Sequence, residues 1–358
     1  MKKNIVFLTE SMVGAGGVVR VITTWANYFS QHGYECKILS VINGEPYFPL
    51  HENIKFKIKK YFFKWKLFSL PLNIFAIIPI LKESKNSILV VNKSAYIEPI
   101  YILRKLGLFK NIELVYFSHG GNGEFESFYM SRPLTRHRVK MIFSVFNNIV
   151  CLFKNTEITP DCVIDEKIIY IPNPCPLKIY NKDINTESNI ISFIGRVTKE
   201  KGVDILIKAW HRIEDKYTDW KLQIIGDGKD KQSFEKLADS LKIKRVTFIP
   251  ATNDICDYLK ETEISVLPSL FEGMPMSIIE ARSQGCALIS TKTNGGKKLI
   301  DDHENGLLVN INDEYDLAEK IELLITDKEL RSKLISNGYL VAANYNIEKI
   351  AENWKDIL

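Results

Sequence analysis

Two glutamates flank a short stretch that contains a glycine and a proline in FEGMPMSIIE, residues 271–280. Glu272 and Glu280 are separated by seven residues, and a helical pattern follows them. Carboxylates near a helix N-terminus interact favourably with the helix dipole, so one interpretation is helix capping. The other is that the two acids accept hydrogen bonds from the hydroxyls of a sugar and a ribose, while backbone N–H groups between them bind an anion.

Two basic residues occur in GRVTKEKG, residues 195–202, directly after an apolar strand pattern. Arg196 falls at the predicted strand end and Lys201 at the start of the next helix, so both side chains can converge on one anion. A guanidinium fork beside an ammonium point charge suits a diphosphate. Taken alone, the same pair is typical of solvated surface. Further along the chain, Gly226 begins the sequence GDG, which predicts a turn at a strand end where a nucleotide could also lie.

A glycine-rich turn joins the first predicted strand to the first helix in GAGGVVRV, which begins at Gly14. Gly16 and Gly17 allow a ligand to approach the backbone closely and leave helix-end N–H groups free for a phosphate. The dinucleotide fingerprint needs a glycine where Val19 stands, and no acid follows at the ribose position, which disfavours an NAD-linked dehydrogenase. A tight turn without a ligand is the alternative, but its position at a strand end favours binding.

A single histidine, His119, ends another apolar strand pattern in YFSHGGNGEFES. A lone histidine is most often a structural side chain with satisfied hydrogen bonds. Here two glycines keep its surroundings open at the ligand-binding edge of the sheet, where a neutral imidazole can accept from a sugar hydroxyl or assist a leaving group. The residues alone leave the two interpretations evenly balanced.

The segment KFKIKKYFFKWK, residues 55–66, combines six lysines with aromatic rings and contains no acid. This combination is typical of a membrane interface, where rings lie at headgroup depth and ammonium groups meet anionic lipid. A helix with packed aromatics and solvated lysines is one alternative. Nucleic-acid binding is another, but no nucleic-acid-binding motif accompanies the segment. We therefore expect membrane or acceptor contacts from Lys59, Lys60, Phe62, Phe63, Lys64 and Trp65.

Short β-branched runs alternate with helical patterns along the chain. Several runs are apolar throughout, as strands buried on both faces of a parallel sheet are, and two such sets predict two doubly wound α/β domains. A polar segment at 176–189, after a run of prolines, marks the boundary. The predicted strands are NIVFLT, CKILSVI, SILVVNKS, IELVYFSH, NIVCLF and KIIYIPNP in the first domain, and IISFIGR, KLQIIGDG, RVTFIP, ISVLPS, CALIST and GLLVNI in the second.

Length and composition indicate which class of protein this chain forms. The chain of 358 residues, 46% apolar and 25% charged, is long enough for two folded domains. Six cysteines without a CxxC pair predict reduced thiols in a cytosolic protein. The apolar runs are too short for a signal peptide or a membrane span, so we expect a cytoplasmic location. Residues 1–110 carry 16 Lys/Arg against six Glu and no Asp, a balance of +10 within a net charge of +5, which suggests an anionic partner for this half.

The motifs together resemble the retaining glycosyltransferases of family four, the glycosyl transferases group 1, which have the GT-B fold. GRVTKEKG, FEGMPMSIIEARSQGCALIS, NGG at 294–296 and DHENGLLV match that family in order and spacing, and GAGGVVRV and the isolated histidine match as well. The resemblance covers nearly the whole chain. It implies two Rossmann-like domains facing across a cleft, with the last helix crossing back to the first domain. The implied divisions are 1–178 for the acceptor domain, 179–189 for the linker, 190–338 for the nucleotide-sugar domain and 339–358 for the crossing helix.

The resemblance also implies a role for each site residue. Arg196 and Lys201 would bind the donor diphosphate, and Glu280 the ribose hydroxyls. Glu272 would contact the donor sugar, with His119 beside it, and these two together with the two basic residues would be the catalytic set. The remaining donor contacts, to sugar, phosphate and a base that is most often uracil, would come from Gly16, Gly17, Gly226, Ile249, Pro250, Gly273, Met274, Pro275 and Met276.

The implied reaction moves a hexose or N-acetylhexosamine from a nucleotide-sugar, most often UDP-linked, to a lipid-linked saccharide or surface polysaccharide at the cytoplasmic face of the membrane. No metal or other cofactor is expected, because fixed cations would stabilise the diphosphate and no Asp-x-Asp motif is present. Many relatives read Gly-Gly-Ala-Glu where this chain has residues 16–19 as Gly-Gly-Val-Val, so no acceptor contact is assigned there.

Three other functions stay open at this point. Hydrolysis by two carboxylates fits the helix entrance less naturally. An enzyme of the UDP-sugar 2-epimerase type would share the fold but would lack a membrane acceptor. A non-catalytic subunit could bind the nucleotide-sugar alone, although it would have little reason to keep both acids and both cations.

Overall fold

The computed structural model describes residues 2–59, 69–119, 141–154, 167–182 and 188–358. The chain divides into two compact units. Unit 1 comprises Met1–Gly14, Val18–Pro172 and Ile350–Leu358, and unit 2 comprises Ala15–Gly17 and Asn173–Lys349. The change of unit at Asn173 precedes the predicted linker at 179–189.

Seven parallel strands form the sheet of unit 1. They are β1 Asn4–Thr9, β2 Cys36–Ser40, β3 Lys55–Ile58, β4 Ser87–Val91, β5 Glu113–Phe117, β6 Asn148–Cys151 and β7 Ile168–Tyr170. Their order is β3-β2-β1-β4-β5-β6-β7, so the direction of winding reverses between β1 and β4. In this central pair Ile5 lies opposite Ile88.

The core of unit 1 follows from the apolar character of its central strands. Every residue of β4 is buried, as the continuous run SILVV predicts for a strand covered on both faces. The helices of this unit that are described over their whole length include α1 Gly17–Gln31, α2 Ser69–Glu83 and α3 Ile97–Lys105. On α1 the buried residues Trp25 and Phe29 are one helical turn apart, so one stripe of the helix faces the core.

The basic segment contains an edge strand that we did not predict. The alternation of lysines with Phe56 and Ile58 has the period of a half-exposed strand, and KFKI forms β3 beside β2. Lys57 lies 3.4 Å from a Glu83 carboxylate oxygen, and Lys59 pairs with the same carboxylate. Glu83, at the end of α2, therefore partly neutralises a run that contains no acid of its own.

Six parallel strands form the sheet of unit 2. They are β8 Ile190–Ile194, β9 Lys221–Ile225, β10 Val246–Ile249, β11 Ile264–Leu267, β12 Ala287–Thr291 and β13 Leu307–Val309. The order is β10-β9-β8-β11-β12-β13, with the reversal between β8 and β11. All twelve predicted strands of the two sheets are present, and β3 is the addition.

Seven helices are described in unit 2. They are α4 Val203–His211, α5 Lys231–Ser240, α6 Ile255–Glu261, α7 Met276–Ser283, α8 Asn294–Leu299, α9 Glu314–Thr326 and α10 Lys328–Ala342. The Asp313 carboxylate caps α9 by accepting from Tyr315 N and Asp316 N. Helix α10 packs on α7 and β12, which keeps it in unit 2.

The last segment crosses back to unit 1, as predicted, but it does so at Ile350 and not at residue 339. The later crossing follows from the packing of α10 on unit 2. A short helix, α11 Ile347–Ala351, leads into a 3-10 turn that ends at Trp354. Trp354 is fully buried, with its ring centroid 5.4 Å from that of Trp25 and 5.3 Å from that of Phe29.

Two further expectations concern thiols and membrane spans. Cys36, Cys151, Cys175, Cys256 and Cys286 are free, and Cys162 lies outside the described residues. Burial raises the pKa of Cys36 and of Cys286 to about 12, so both remain thiols at neutral pH. In the described ranges no helix is both long and apolar enough to cross a membrane.

We predict that Trp354→Ala selectively destabilises unit 1. Removing a fully buried indole costs about 3–5 kcal/mol. Native-state hydrogen exchange should show a loss of this size in the opening free energy of α1 amides, while α9 amides in unit 2 keep their protection. Leu340→Ala, at a residue with 74% exposure, is the control and should change neither helix. Unchanged protection of α1 in Trp354→Ala would contradict the assigned packing.

Candidate active site

The residues singled out in the sequence lie mostly at the carboxyl ends of strands, and those after β1, β8 and β11 lie beside the two reversals of strand order. Such positions are where open α/β sheets bind ligands. In unit 2, Arg196 and Lys201 follow β8, and Glu272 follows β11. In unit 1, His119 follows β5. The glycine-rich turn at 14–17 follows β1, and its residues Ala15–Gly17 are assigned to unit 2.

The loop after β8 carries two cationic side chains that differ in exposure and in bonding. The Arg196 side chain is exposed and makes no hydrogen bond or ion pair with the described part of the chain. Lys201 ends a 3-10 turn, and its ammonium is largely covered. Gly202 follows with a φ of 65°, and a Cβ there would lie 2.0 Å from Pro268 O. A glycine is therefore required for the β8 and β11 loops to touch.

Glu272 is a buried carboxylate with two partners. Its Oε1 lies 2.5 Å from Lys201 Nζ and accepts from Ser269 Oγ at 2.7 Å. Helix α7 begins at Met276, and its N-cap Pro275 makes no side-chain capping hydrogen bond. The capping interpretation is therefore wrong for Glu272. The burial cost of this carboxylate is offset by the lysine and the hydroxyl.

Backbone contacts hold the surrounding loops together. Leu270 N donates to Glu200 O at 2.9 Å, which joins the β11 loop to the β8 loop. Gly295 N donates to Glu272 O at 3.0 Å, which joins the β12 loop to the β11 loop. A Cβ on Gly295 would lie 2.4 Å from Gly273 O, so the NGG sequence is needed for this approach.

The entrance of α7 carries the remaining predicted donor contacts of this region. Met274, Pro275 and Met276 are buried, and Gly273 is partly exposed. Glu280 lies within α7 and is 4% exposed. The first N–H groups of an α-helix have no intrahelical acceptor, so they remain available to an anion.

A residue that we did not predict supports this loop. Asn173, the first residue of the second stretch of unit 2, donates from Nδ2 to Met274 O at 3.3 Å. Ser269, three residues before Glu272, was also missed. Both could have been suspected only as polar residues beside the predicted site.

The loops after β9 and β10 are joined by a carboxylate. Asp227 accepts from Ala251 N at 2.8 Å and pairs with Lys231 at 2.9 Å, and these contacts hold its pKa below the usual value. Gly226 has a φ of 145°, and a Cβ there would lie 1.9 Å from Gly195 O. GDG is therefore a close-packed turn at the edge that also carries two other predicted donor contacts, Ile249 and Pro250.

His119 in unit 1 is held by a neighbour from the adjacent strand end. Its Nε2 lies 2.8 Å from Asn92 Oδ1, and its ring stacks on Phe117 with centroids 4.6 Å apart. Burial lowers the pKa of His119 to about 4, so the imidazole is neutral at physiological pH. Asn92 was not singled out in the sequence, although it directly follows the apolar run of β4.

Several other predicted contacts are only partly described. The glycine-rich turn has Gly14 at a φ of 86°, and Gly17 begins α1. Lys59 is paired with Glu83. Lys60, Phe62, Phe63, Lys64 and Trp65 lie outside the described residues. Over the described ranges, no three His, Cys, Asp or Glu side chains are grouped as metal ligands would be.

Comparison with known proteins identifies the family. Residues 178–353 match the family described as Glycosyl transferases group 1. An uncharacterized glycosyltransferase of Haemophilus influenzae is 30% identical over 364 residues, which cover 99% of this chain and 100% of the relative. The chain belongs to the glycosyl transferases group 1. It is therefore an enzyme that transfers a glycosyl group, as the motifs implied.

Two further similarities bear on this glycosyltransferase. The Campylobacter jejuni GalNAc-α-(1→4)-GalNAc-α-(1→3)-diNAcBac-PP-undecaprenol α-1,4-N-acetyl-D-galactosaminyltransferase is 26% identical over 360 residues, covering 97% of this chain and 96% of the relative. The crystal structure of a point mutant of S. aureus TarM with fondaparinux, α-GlcNAc-glycerol and UDP has a TM-score of 0.78 at 16% identity, covering 99% of both chains. The glycosyltransferase has the predicted GT-B fold.

We predict a pH-dependent contribution of His119 to stability. The unfolded histidine binds a proton near pH 6.5, whereas the folded one stays neutral down to about pH 4. The free energy of unfolding should therefore fall as the pH is lowered through this window, by at most about 1.4 kcal/mol per pH unit from this group.

The measurement is urea unfolding of unit 1 at several pH values. His119→Gln should show a shallower fall between pH 6.5 and 4 than the wild type, and the same slope above pH 7. His303→Gln, which removes an exposed histidine of unit 2, is the control. Equal slopes for wild type and His119→Gln would show that the imidazole is not held neutral.

Proposed function

We propose that this glycosyltransferase moves a hexose or N-acetylhexosamine, with retention of anomeric configuration, from a UDP-sugar to a lipid-linked saccharide or surface-polysaccharide acceptor. The observation that carries the proposal is the arrangement of Arg196, Lys201 and Glu272 with the entrance of α7. One edge of one sheet offers cations for phosphates, a carboxylate for hydroxyls and free helix amides for an anion.

The two cations suit the two ends of a diphosphate. The Arg196 guanidinium is exposed and unengaged in the described structure, so it can bind phosphate without first giving up a partner. The Lys201 ammonium is bound to Glu272 in the free protein. On donor binding we expect it to contact a phosphate oxygen, while sugar hydroxyls donate to Glu272 in its place.

The nucleoside would occupy the loops beyond β9 and β10. Glu280 would accept from the ribose hydroxyls, and Ile249 and Pro250 would lie against the base. UDP is proposed because it is present in the TarM complex named above. The similar Campylobacter jejuni enzyme, named for a saccharide on PP-undecaprenol, is the basis for proposing a lipid-linked acceptor.

The proposed reaction breaks the bond between the anomeric carbon and the donor phosphate oxygen and forms one to the acceptor hydroxyl oxygen on the same face. The acceptor proton passes to the departing phosphate. Negative charge grows on the diphosphate as the bond breaks, so fixed donors already aimed at it lower the barrier. Arg196, Lys201 and the α7 amides supply those donors, and we propose that transfer needs no metal or other cofactor.

We predict that nucleotides stabilise the protein without added metal. A ligand at about 100 times its dissociation constant adds roughly 2.7 kcal/mol to the free energy of unfolding of the site that binds it. Thermal unfolding with a panel of nucleotides and nucleotide-sugars should show this effect for UDP and at least one UDP-sugar. Glu280→Ala and Arg196→Ala should lose it.

The matched controls change the same residue types away from the site. Glu319→Ala and Arg212→Ala alter exposed side chains of α9 and the end of α4, and both should respond like the wild type. A response to UDP that survives Glu280→Ala and Arg196→Ala would place nucleotide binding elsewhere. No response to any nucleotide would favour a non-catalytic role. Conversion of a UDP-sugar to its 2-epimer, and no transfer, would favour the epimerase type.

We also propose that the protein is peripherally associated with the cytoplasmic face of the membrane through the basic segment at 55–66. Replacing Lys59, Lys60 and Lys64 by Glu should abolish sedimentation with vesicles that contain anionic lipid, because the segment would then hold three lysines and three glutamates and lose its net attraction to the vesicle surface. The control replaces Lys236, Lys242 and Lys244 by Glu, which alters the net charge equally on exposed positions of unit 2. Equal loss of vesicle binding in both variants would mean that binding depends only on the net charge of the protein. Unchanged vesicle binding in both variants would contradict the docking proposal.

A further inference from the structure

The end of β4 carries a side-chain amide whose orientation is fixed by backbone carbonyls. Asn92 is 5% exposed, and its Nδ2 lies 3.2 Å from Leu8 O and 3.2 Å from Val90 O. Both N–H groups of the amide therefore have acceptors. Turning the amide over would place Oδ1 against two carbonyl oxygens, so this orientation is strongly preferred.

The fixed amide determines the tautomer of its neighbour. With Nδ2 committed to the carbonyls, Asn92 can offer only an acceptor to His119, and Oδ1 lies 2.8 Å from His119 Nε2. That nitrogen must then carry the proton and donate. Because the imidazole is neutral, Nδ1 holds a lone pair and can only accept.

The accepting nitrogen is buried and has no partner among the described residues. The direction of the Nδ1 lone pair is also restrained, because the imidazole ring stacks on Phe117 at an interplanar angle of 19°. Phe117 in turn lies 6.1 Å, centroid to centroid, from the fully buried ring of Trp354. A buried acceptor without a donor is costly, and a ligand hydroxyl would satisfy it.

We propose that Asn92 is a positioning residue that holds His119 in the Nε2–H form, so that Nδ1 accepts a hydrogen bond from one hydroxyl of the donor sugar. This inference rests on the proposed function, because it takes the ligand to be a sugar. It assigns a role to a residue that contacts no reacting atom and acts only through the imidazole.

The tautomer can be measured without any substrate. In protein labelled with ¹⁵N-histidine, long-range correlations between ring nitrogens and carbons distinguish a protonated from an unprotonated nitrogen. The His119 signals are identified by their loss in His119→Gln. We expect the wild type to be Nε2–H and Asn92→Leu to show a mixture or the Nδ1–H form.

Asn147→Leu is the matched control. Asn147 also lies in unit 1 and accepts a backbone hydrogen bond, from Leu114 N at 2.9 Å, but it does not contact His119. It should lower stability without changing the tautomer. If the wild type is Nδ1–H, or if Asn92→Leu leaves the tautomer unchanged, the assignment is wrong.

Transfer kinetics with deoxy-sugar donors test the second half of the proposal. With the intact donor, Asn92→Leu should lower kcat/KM roughly fivefold to tenfold, the effect of one neutral hydrogen bond. With the donor that lacks the contacted hydroxyl, wild type and Asn92→Leu should transfer at the same rate. A ratio that stays constant across all monodeoxy donors would overturn the hydroxyl contact.

The two proposals fail in different ways. If no nucleotide-sugar is a substrate for the wild type but the tautomer measurements come out as expected, the proposed donor class is wrong and the link between Asn92 and His119 stands. If transfer occurs but the tautomer does not depend on Asn92, the proposed function stands and this inference is wrong.

Discussion

Backbone contacts between loops are the constraint on which the proposed donor site depends. The loops after β8, β11 and β12 touch through main-chain hydrogen bonds and through approaches that only glycine permits, at Gly202 and Gly295. None of these contacts can shift without breaking a main-chain hydrogen bond or creating a clash. Lys201 and Glu272, 71 residues apart in the chain, are therefore held together before any ligand binds. Such preorganisation is what makes fixed charges effective in stabilising a growing negative charge.

In unit 1 the carboxyl ends of the parallel strands orient a neutral side chain instead of charged ones. Its reversal of strand order places the ends of β1 and β4 side by side, so that Leu8 O and Val90 O can bind one amide from Asn92. The result is a neutral acceptor at His119 where unit 2 has cations and carboxylates. A neutral acceptor can bind a hydroxyl without adding negative charge to the site. Added negative charge would oppose the departure of a diphosphate.

The two sheets could be predicted because their strands are buried runs such as SILVV, whose apolar character depends only on the sequence. The pair of glutamates could be singled out by spacing. β3 was not predicted, because the lysines of its segment indicated a membrane interface. KFKI nevertheless alternates between lysine and apolar residues, as an edge strand does. Ser269 and Asn92 could not be predicted to matter, because their roles depend on which distant carboxylate or carbonyl the fold brings within reach. The capping interpretation of Glu272 failed for the same reason, since Lys201 reaches it from another loop.

The free state of the donor site has a consequence for the proposed cycle. The Glu272 carboxylate is buried and depends on Lys201 for compensation, so a diphosphate that draws the lysine away leaves a costly unpaired charge. A whole nucleotide-sugar brings hydroxyls that can donate to Glu272 as the lysine leaves. The nucleotide alone, once the sugar has been transferred, brings none. In the proposed cycle, the ion pair between Lys201 and Glu272 would thus favour binding of the intact donor and would re-form as the product departs. A single carboxylate would then link the sugar contact to the phosphate contact.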